Sequence, residues 1–431
     1  MKGRIKVRDP FIVRYLSFYI LAVSFSSVAI PLGDSHLKYD WLGAIILCLA
    51  GAAAILYRQK TNRKVIIYVS VYSLFLLLNS MVLEVTSDQL FNMEGFISSF
   101  FQFILAFCTF VVISNSKISS LRVMKLIRVW IVIACFAGML VMMQVVTGQI
   151  IVDKYLFIPY FENSSISIKV ISGMLAPTAW FSESSWLASF LVVPIIFLLH
   201  EAIEGRNSIW GKRWLYPALV ILLGSLFYCY SLTGMLSVGG GLFCSFVMGN
   251  KMRYTGVVVV CVCAFSLLAL TKADIVILQI GRLLELLGNL ASLNNGGESD
   301  GGLTSYYVRS VGVFAGVQEF LKNPLSGIGA GQGNMPYHSG LITLLAEQGV
   351  IGTVLYFTPL LYLLGKLNVI RRQAGHLERH IAVLFIVALI ADNLNGFVTH
   401  NSYHLQRWLL VSIAFGWLHY LTRADLIGAK N

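Results

Sequence analysis

Eight ionisable side chains sit within or at one end of this chain's apolar stretches: Glu183, Arg309, His338, Glu347, Asp392, His400, His404 and Arg407. Charged groups at membrane depth or at its edge cost several kcal/mol unless paired or functional, so each needs a reason. Two arginines and three histidines, with no Cys/His/Asp spacing that would hold a metal, fit an anionic head group and an acid/base residue. A guanidinium fork binds phosphate oxygens bidentately, and an imidazole can take a proton from a hydroxyl near neutral pH.

Three of the eight lie in residues 304–352, TSYYVRSVGVFAGVQEFLKNPLSGIGAGQGNMPYHSGLITLLAEQGVIG. This stretch begins as an amphipathic run with Arg309 and Glu319, breaks at Asn323-Pro324, passes a glycine-rich turn, and presents His338 where an apolar helix starts. Glycines 327, 329, 331 and 333 make no nucleotide loop, since no strand precedes them and no Lys-Ser/Thr follows. The turn either brings backbone N–H groups to an anion or simply joins two helices. Glu347 is nine residues past His338, about 900° of helical rotation and so on the opposite face, which suits a partner for another helix. Glu183 and Asp392 read as structural hydrogen-bonding groups. Arg309 is either a phosphate ligand or a snorkelling interfacial residue. Arg407, with His404 three residues before it and His400 a turn earlier, marks either a phosphate site or a solvated helix end.

Composition says what must position these groups. The chain has 431 residues, 57% hydrophobic and 12% charged, with a mean hydropathy of +0.77; soluble domains carry about 25% charged residues. It is an all-α polytopic membrane protein by composition. Its net charge of +12 is spread through short inter-helix loops, a pattern of membrane orientation that argues against nucleic acid. The seven cysteines fall inside apolar runs and imply neither a disulfide framework nor a metal site.

Apolar runs predict about twelve transmembrane helices, near 11–32, 41–57, 65–83, 95–114, 127–147, 184–200, 214–231, 233–248, 254–271, 341–364, 380–398 and 404–421. The first run has no small-residue cleavage site and is expected to be a retained helix. No repeat or separate soluble domain is visible, so residues 1–431 form a single integral membrane domain. Of the 32 basic residues, 23 fall at the termini and in alternate loops, and eight fall in the other set. This places both termini in the cytoplasm and the loops 148–183 and 272–340 outside. The larger loop, between helices 9 and 10, is expected to carry amphipathic helices at 275–293 and 305–321 around a flexible middle, 294–302.

The run Asn323-Pro324-Leu325-Ser326-Gly327-Ile328-Gly329-Ala330-Gly331, preceded by Arg309 and followed by His338-Ser339 and Glu347-Gln348-Gly349-Val350-Ile351-Gly352, resembles the O-antigen polymerase and O-antigen ligase superfamily. Trp180-Phe181-Ser182-Glu183-Ser184-Ser185 is similar to a pattern of that family that usually reads Glu-Pro-Ser, with Ser184 in the place of proline. The likeness covers roughly residues 170–360. It implies a GT-C-like glycosyltransferase of the bacterial inner membrane, without cofactor or metal. The donor would be a polyprenyl-diphosphate-linked oligosaccharide, with membrane lipids around it and a chain-length regulator and a flippase as partners. Arg309 and Arg407 would bind the diphosphate and His338 would be the base, with Glu183, Glu347, His400 and His404 in support. The acceptor would be a second lipid-linked repeat unit (polymerase) or lipid A core (ligase). A flippase for lipid-linked sugars is the competing class; it would be expected to show inverted repeats and matched broken helices.

Overall fold

In hydrocarbon a segment must satisfy its N–H and C=O groups internally, so apolar runs of this length become helices. The computed structural model describes residues 11–25, 29–32, 35–58, 62–86, 92–148, 170–171, 174–175, 177–181, 183–205, 209–248, 304–333, 337, 339–398 and 405–428. The described helices are α1 (Phe11–Ser24), α2 (Tyr39–Arg58), α3 (Arg63–Thr86), α4 (Met93–Ser114), α5 (Ser120–Thr147), α6 (Ser184–Glu204), α7 (Lys212–Tyr228), α8 (Leu232–Met248), α9 (Thr304–Lys322), α10 (Gly340–Gln373), α11 (His376–Val398) and α12 (Leu405–Gly428). Two small antiparallel hairpins accompany them: β1 (Ala29–Leu32) with β2 (Ser35–Lys38), and β3 (Val170–Ile171) with β4 (Met174–Leu175).

Among the described residues six helices, α3, α4, α5, α6, α10 and α11, are long and apolar enough to cross a membrane. Eleven of the twelve expected runs correspond to described helices. The run 254–271 lies outside the described residues, as do 149–169 and 272–303 from the two long loops, with the expected amphipathic helix 275–293 and the middle 294–302. The observed ends depart from expectation where hydropathy is a poor guide. The expected helix 11–32 stops at Ser24 and the chain enters the β1–β2 hairpin, since Pro31 disfavours helical backbone at Ile30 and lacks an N–H of its own. Helix α5 starts at Ser120, seven residues before the expected position, carrying Arg122, Lys125 and Arg128 as helical turns. Helix α10 likewise runs through most of the expected loop 365–379 and ends at Gln373. The amphipathic run expected at 305–321 is α9.

Helices α6 and α11 form the centre: 83% of the apolar window of each is buried, against 22% for α3 at the rim. Around them α10 and α8 pack on α11, α12 on α4, α7 on α5, and α9 on α10. Aromatic rings lock α12 to α4, with Trp408 against Phe107 and Phe110 at centroid distances of 4.4 and 5.7 Å. Rim helices show apolar side chains such as Leu74, Phe243 and Val354 on their outer faces, as lipid contact requires.

Residues 177–181, which precede α6, are drawn into the bundle. The Gln144 side chain accepts the Thr178 and Ala179 N–H groups at 3.1 and 3.0 Å and donates to the Ala179 carbonyl at 3.3 Å. The Trp180 indole donates to the Ser24 carbonyl at the end of α1, 2.9 Å away. Expected loop 148–183 therefore ends on buried backbone anchored to α1 and α5, and Glu183 follows at the N-cap of α6.

Candidate functional site

The glycine-rich turn exists because α10 is broken. At Gly349 the backbone takes φ 62°, ψ −165°, a region open essentially to glycine alone. A continuous helix would pair the N–H groups of Val350 and Ile351 with the carbonyls of Ala346 and Glu347. Instead Val350 and Ile351 donate to the carbonyls of Pro324 and Leu325 at 2.9 and 3.1 Å. The freed carbonyls of Ala346 and Glu347 accept from Ile328 and Gly329, both at 2.8 Å. Two intrahelical bonds are exchanged for four between helix and turn. Gly349 is about 14 Å along α10 from its start, at 1.5 Å per residue, so the turn re-enters the bundle and does not lie over it.

Most amides of the glycine-rich turn are engaged by the protein itself. Gly327 donates to the Asn323 carbonyl at 2.8 Å, Ile328 and Gly329 donate to α10, and the Gly331 N–H faces the Glu347 carboxylate. These donors are committed to the protein, and the anion-cradle reading of the glycines gives way to a structural one. A Cβ on Gly327 would sit 2.4 Å from the Gln348 nitrogen, so that glycine is required by close approach as well as by its φ of 74°. Helix α3 braces the junction: the Tyr72 hydroxyl donates to the Gln348 Oε1 at 2.5 Å, and Asn79 donates to the Ser326 carbonyl at 2.8 Å. Glu347, expected to partner another helix, faces the re-entrant turn instead.

Four helices bring polar groups to one end of the bundle, the Arg407 end. There the Arg407 Nε donates to Asp392 Oδ2 at 3.3 Å, and Nη1 donates to the Tyr356 hydroxyl at 3.2 Å. The guanidinium lies against Gly396, where any Cβ would fall 1.5 Å from Nη2. The Arg407 and Asp392 side chains are 11% and 8% exposed. Arg407 is thus a buried, oriented cation and not the end of a solvated helix. Its planar fork is held at the edge by a carboxylate and a phenol, with Tyr356 in turn edge-on to Trp408 at 5.4 Å.

Glu183 reaches the same end through a polar line. Its Oε2 accepts the Ser185 hydroxyl at 2.8 Å, while Ser189 Oγ donates to Asn395 Oδ1 at 3.1 Å and Gln406 donates to the Ser189 carbonyl at 3.3 Å. Asn395 and Gln406 are the chain neighbours of Gly396 and Arg407. Ser339 adds a further tie, capping α10 by accepting the Ile342 N–H at 3.4 Å and donating to the Phe397 carbonyl at 2.5 Å.

His338, His400 and His404 lie outside the described residues, and Arg309 is placed only as a backbone position on α9. The chain neighbours of His338 are both anchored: Ser339 as above, and Tyr337 buried against Gly316 and Gly333. Burial, reinforced by the Glu347 and Glu319 carboxylates, pushes the Tyr337 phenol above its ordinary range and keeps it neutral.

Sequence reading missed the Tyr356 contact and the pairing of Asp392 with Arg407. A signal was present: one carboxylate and one arginine on consecutive apolar helices, joined by a short connection, have each other as the nearest means of neutralisation. Tyr356 had none, because nothing distinguishes an inward tyrosine from the other aromatic residues of α10. A scan against models of known protein families matches none of them, and a search of curated proteins finds no match.

Proposed function

We propose that the protein is a membrane glycosyltransferase that polymerises lipid-linked glycan repeat units, with a polyprenyl-diphosphate donor bound at the Arg407 end. The observation that carries this reading is Arg407 itself, a guanidinium sunk among apolar helices and aimed by Asp392 and Tyr356. Ion pairs of this kind are expensive in hydrocarbon and mark sites where a charged group is handled. The pair keeps Arg407 charged and oriented while its remaining N–H groups meet phosphate oxygens.

The chemistry follows from the reactants. An acceptor hydroxyl attacks the anomeric carbon of the donor glycan, the bond from that carbon to the diphosphate oxygen breaks, and the electron pair leaves on the polyprenyl diphosphate. Arg407, with Arg309, offsets the charge that grows on the leaving group. His338, which precedes the α10 N-cap Ser339 in the chain, takes the hydroxyl proton. The site faces the outer leaflet of the bacterial inner membrane, with both chain termini in the cytoplasm.

Two tests apply. Metabolic labelling of cells lacking the gene distinguishes the classes: single repeat units left on the lipid carrier indicate a polymerase, full polymer left on the carrier a ligase, and accumulation on the cytoplasmic face a flippase. In complemented cells His338→Ala is expected to reduce polymer by about 10²–10⁴-fold at normal protein abundance, the range for loss of a general base. His338→Gln keeps polar donors and acceptors without a base near neutral pH; polymer of normal amount from it would remove His338 from the mechanism. Reporter fusions at Gly296 and Gly375 are expected to read outside and inside, and a cytoplasmic reading at 296 would leave the site with no substrate beside it.

A further inference from the structure

At the opposite end of the bundle, where α6, α8 and α10 finish and α11 begins, lies a cavity of about 410 Å³ that opens to the surface. Three arginines, Arg371, Arg372 and Arg379, and two histidines, His200 and His380, line it, with Glu204 as a carboxylate on the wall. We propose that this cavity is a binding site for a phosphate-bearing anion, independent of the chemistry assigned to the Arg407 end.

Charge and geometry both lead to this. Three guanidinium groups around one small volume repel one another, and a single wall carboxylate leaves an excess of positive charge. The nearest buried carboxylate, Glu201, is already spent: its Oε1 holds the His380 Nε2 at 2.5 Å and its Oε2 accepts the Ile209 N–H at 3.2 Å. That bond fixes His380, whose ring stacks on His200 at 5.3 Å with 24° between planes, so one wall is rigid. Arg371 is fixed as well, donating through Nε to Asn368 at 3.1 Å and through Nη1 to the Met248 carbonyl at 3.4 Å, which leaves part of its fork toward the cavity.

Arg372 and Arg379 are exposed at the mouth and form no ion pair among the described residues. Planar forks of this kind match the oxygens of phosphate and carboxylate, and three of them around one volume suit the higher charge of a phosphate. The volume falls in the range of small-molecule sites, roughly 300–1,000 Å³, and admits a head group or a small phosphate ester. Basic loops assign this end to the cytoplasm, where both sources of phosphate exist: anionic phospholipid head groups and soluble phosphate esters.

The test uses the full-length protein in detergent, titrated with inorganic pyrophosphate, and in phosphatidylcholine nanodiscs with or without phosphatidylglycerol, read by native mass spectrometry. Arg372→Ala/Arg379→Ala changes two exposed residues and is expected to weaken binding at least about tenfold, as loss of charge-assisted hydrogen bonds does. Arg63→Ala/Lys64→Ala, at the exposed start of α3 and outside the cavity, is expected to leave binding unchanged. Saturable pyrophosphate binding assigns the site to a soluble ester, and selective retention of phosphatidylglycerol assigns it to a lipid head group; either result supports the proposal. Absence of saturable binding by both probes overturns it. So does equal loss in the α3 variant, because net charge alone would then explain the attraction.

Discussion

The break in α10 and the Asp392–Arg407 pair are both costly insertions into an apolar bundle, and the protein accommodates them by different means. At the break, unpaired backbone groups are met by other backbone groups: the turn 323–331 supplies donors and acceptors in matching number, and glycines let the two chains approach. At the pair, side-chain charge is met by side-chain charge, and a fork with five donors is only partly used by Asp392 and Tyr356. The first arrangement spends the N–H groups of Gly327, Ile328, Gly329 and Gly331 on the protein itself. The second leaves part of the fork unused among the described residues, which suits it to an anion better than the more conspicuous glycine-rich turn.

That contrast can be broken most decisively at Gly349. A Cβ there would lie 2.3 Å from the Leu325 carbonyl carbon and oxygen, on backbone with positive φ. Gly349→Val is expected to cost more than about 3 kcal/mol and to remove folded protein from the membrane, since strain of this backbone class and overpacking each cost roughly 1–3 kcal/mol. Normal abundance and normal thermal unfolding in detergent would show that the break is not closed as described.

Next in size is Asp392→Ala, which leaves the Arg407 guanidinium buried without its carboxylate. A loss of about 2–4 kcal/mol in detergent unfolding is expected, somewhat below the roughly 3–5 kcal/mol seen for fully buried pairs because both side chains keep slight exposure. Asp392→Ala/Arg407→Met should recover part of that loss. A double variant as unstable as the sum of the single ones would mean that the two residues do not act as a pair.

Arg407→Lys sharpens the functional half of the contrast. It keeps the charge but not the fork, so protein abundance should stay close to normal while polymer falls roughly tenfold or more. Equal polymer from the lysine variant would reduce Arg407 to a structural cation. The smallest effect is expected from Tyr356→Phe, which removes one acceptor of an Arg407 N–H and should cost about 1 kcal/mol in unfolding. Aromatic packing against Trp408 is retained in that variant, so a much larger loss would point to a different role for the hydroxyl.

Much of this organisation was legible from the chain alone. A segment that must satisfy its backbone internally announces itself by twenty or so apolar residues, and the helix α9 announced itself by spacing. Polar end groups such as Glu183, Asp392 and Arg407 stood out because so few charges interrupt the apolar runs. The limits of α1, α5 and α10 were not legible, since hydropathy measures the preference for lipid and a helix continues past it wherever its backbone bonds can be made.

Sequence by itself determined the helical membrane class, the rough positions of the helices, and the short set of residues capable of acid/base or phosphate chemistry, because each of these depends on local composition. Only the tertiary structure decided that the glycines of 327–331 mend a broken helix, that Arg407 is held by Asp392 and Tyr356, and that Arg371, Arg372 and Arg379 surround a cavity with His200 and His380. Those pairings join residues from different helices, some separated by more than a hundred positions. Their energies come from geometry and from the absence of water, and neither quantity is written in the order of residues.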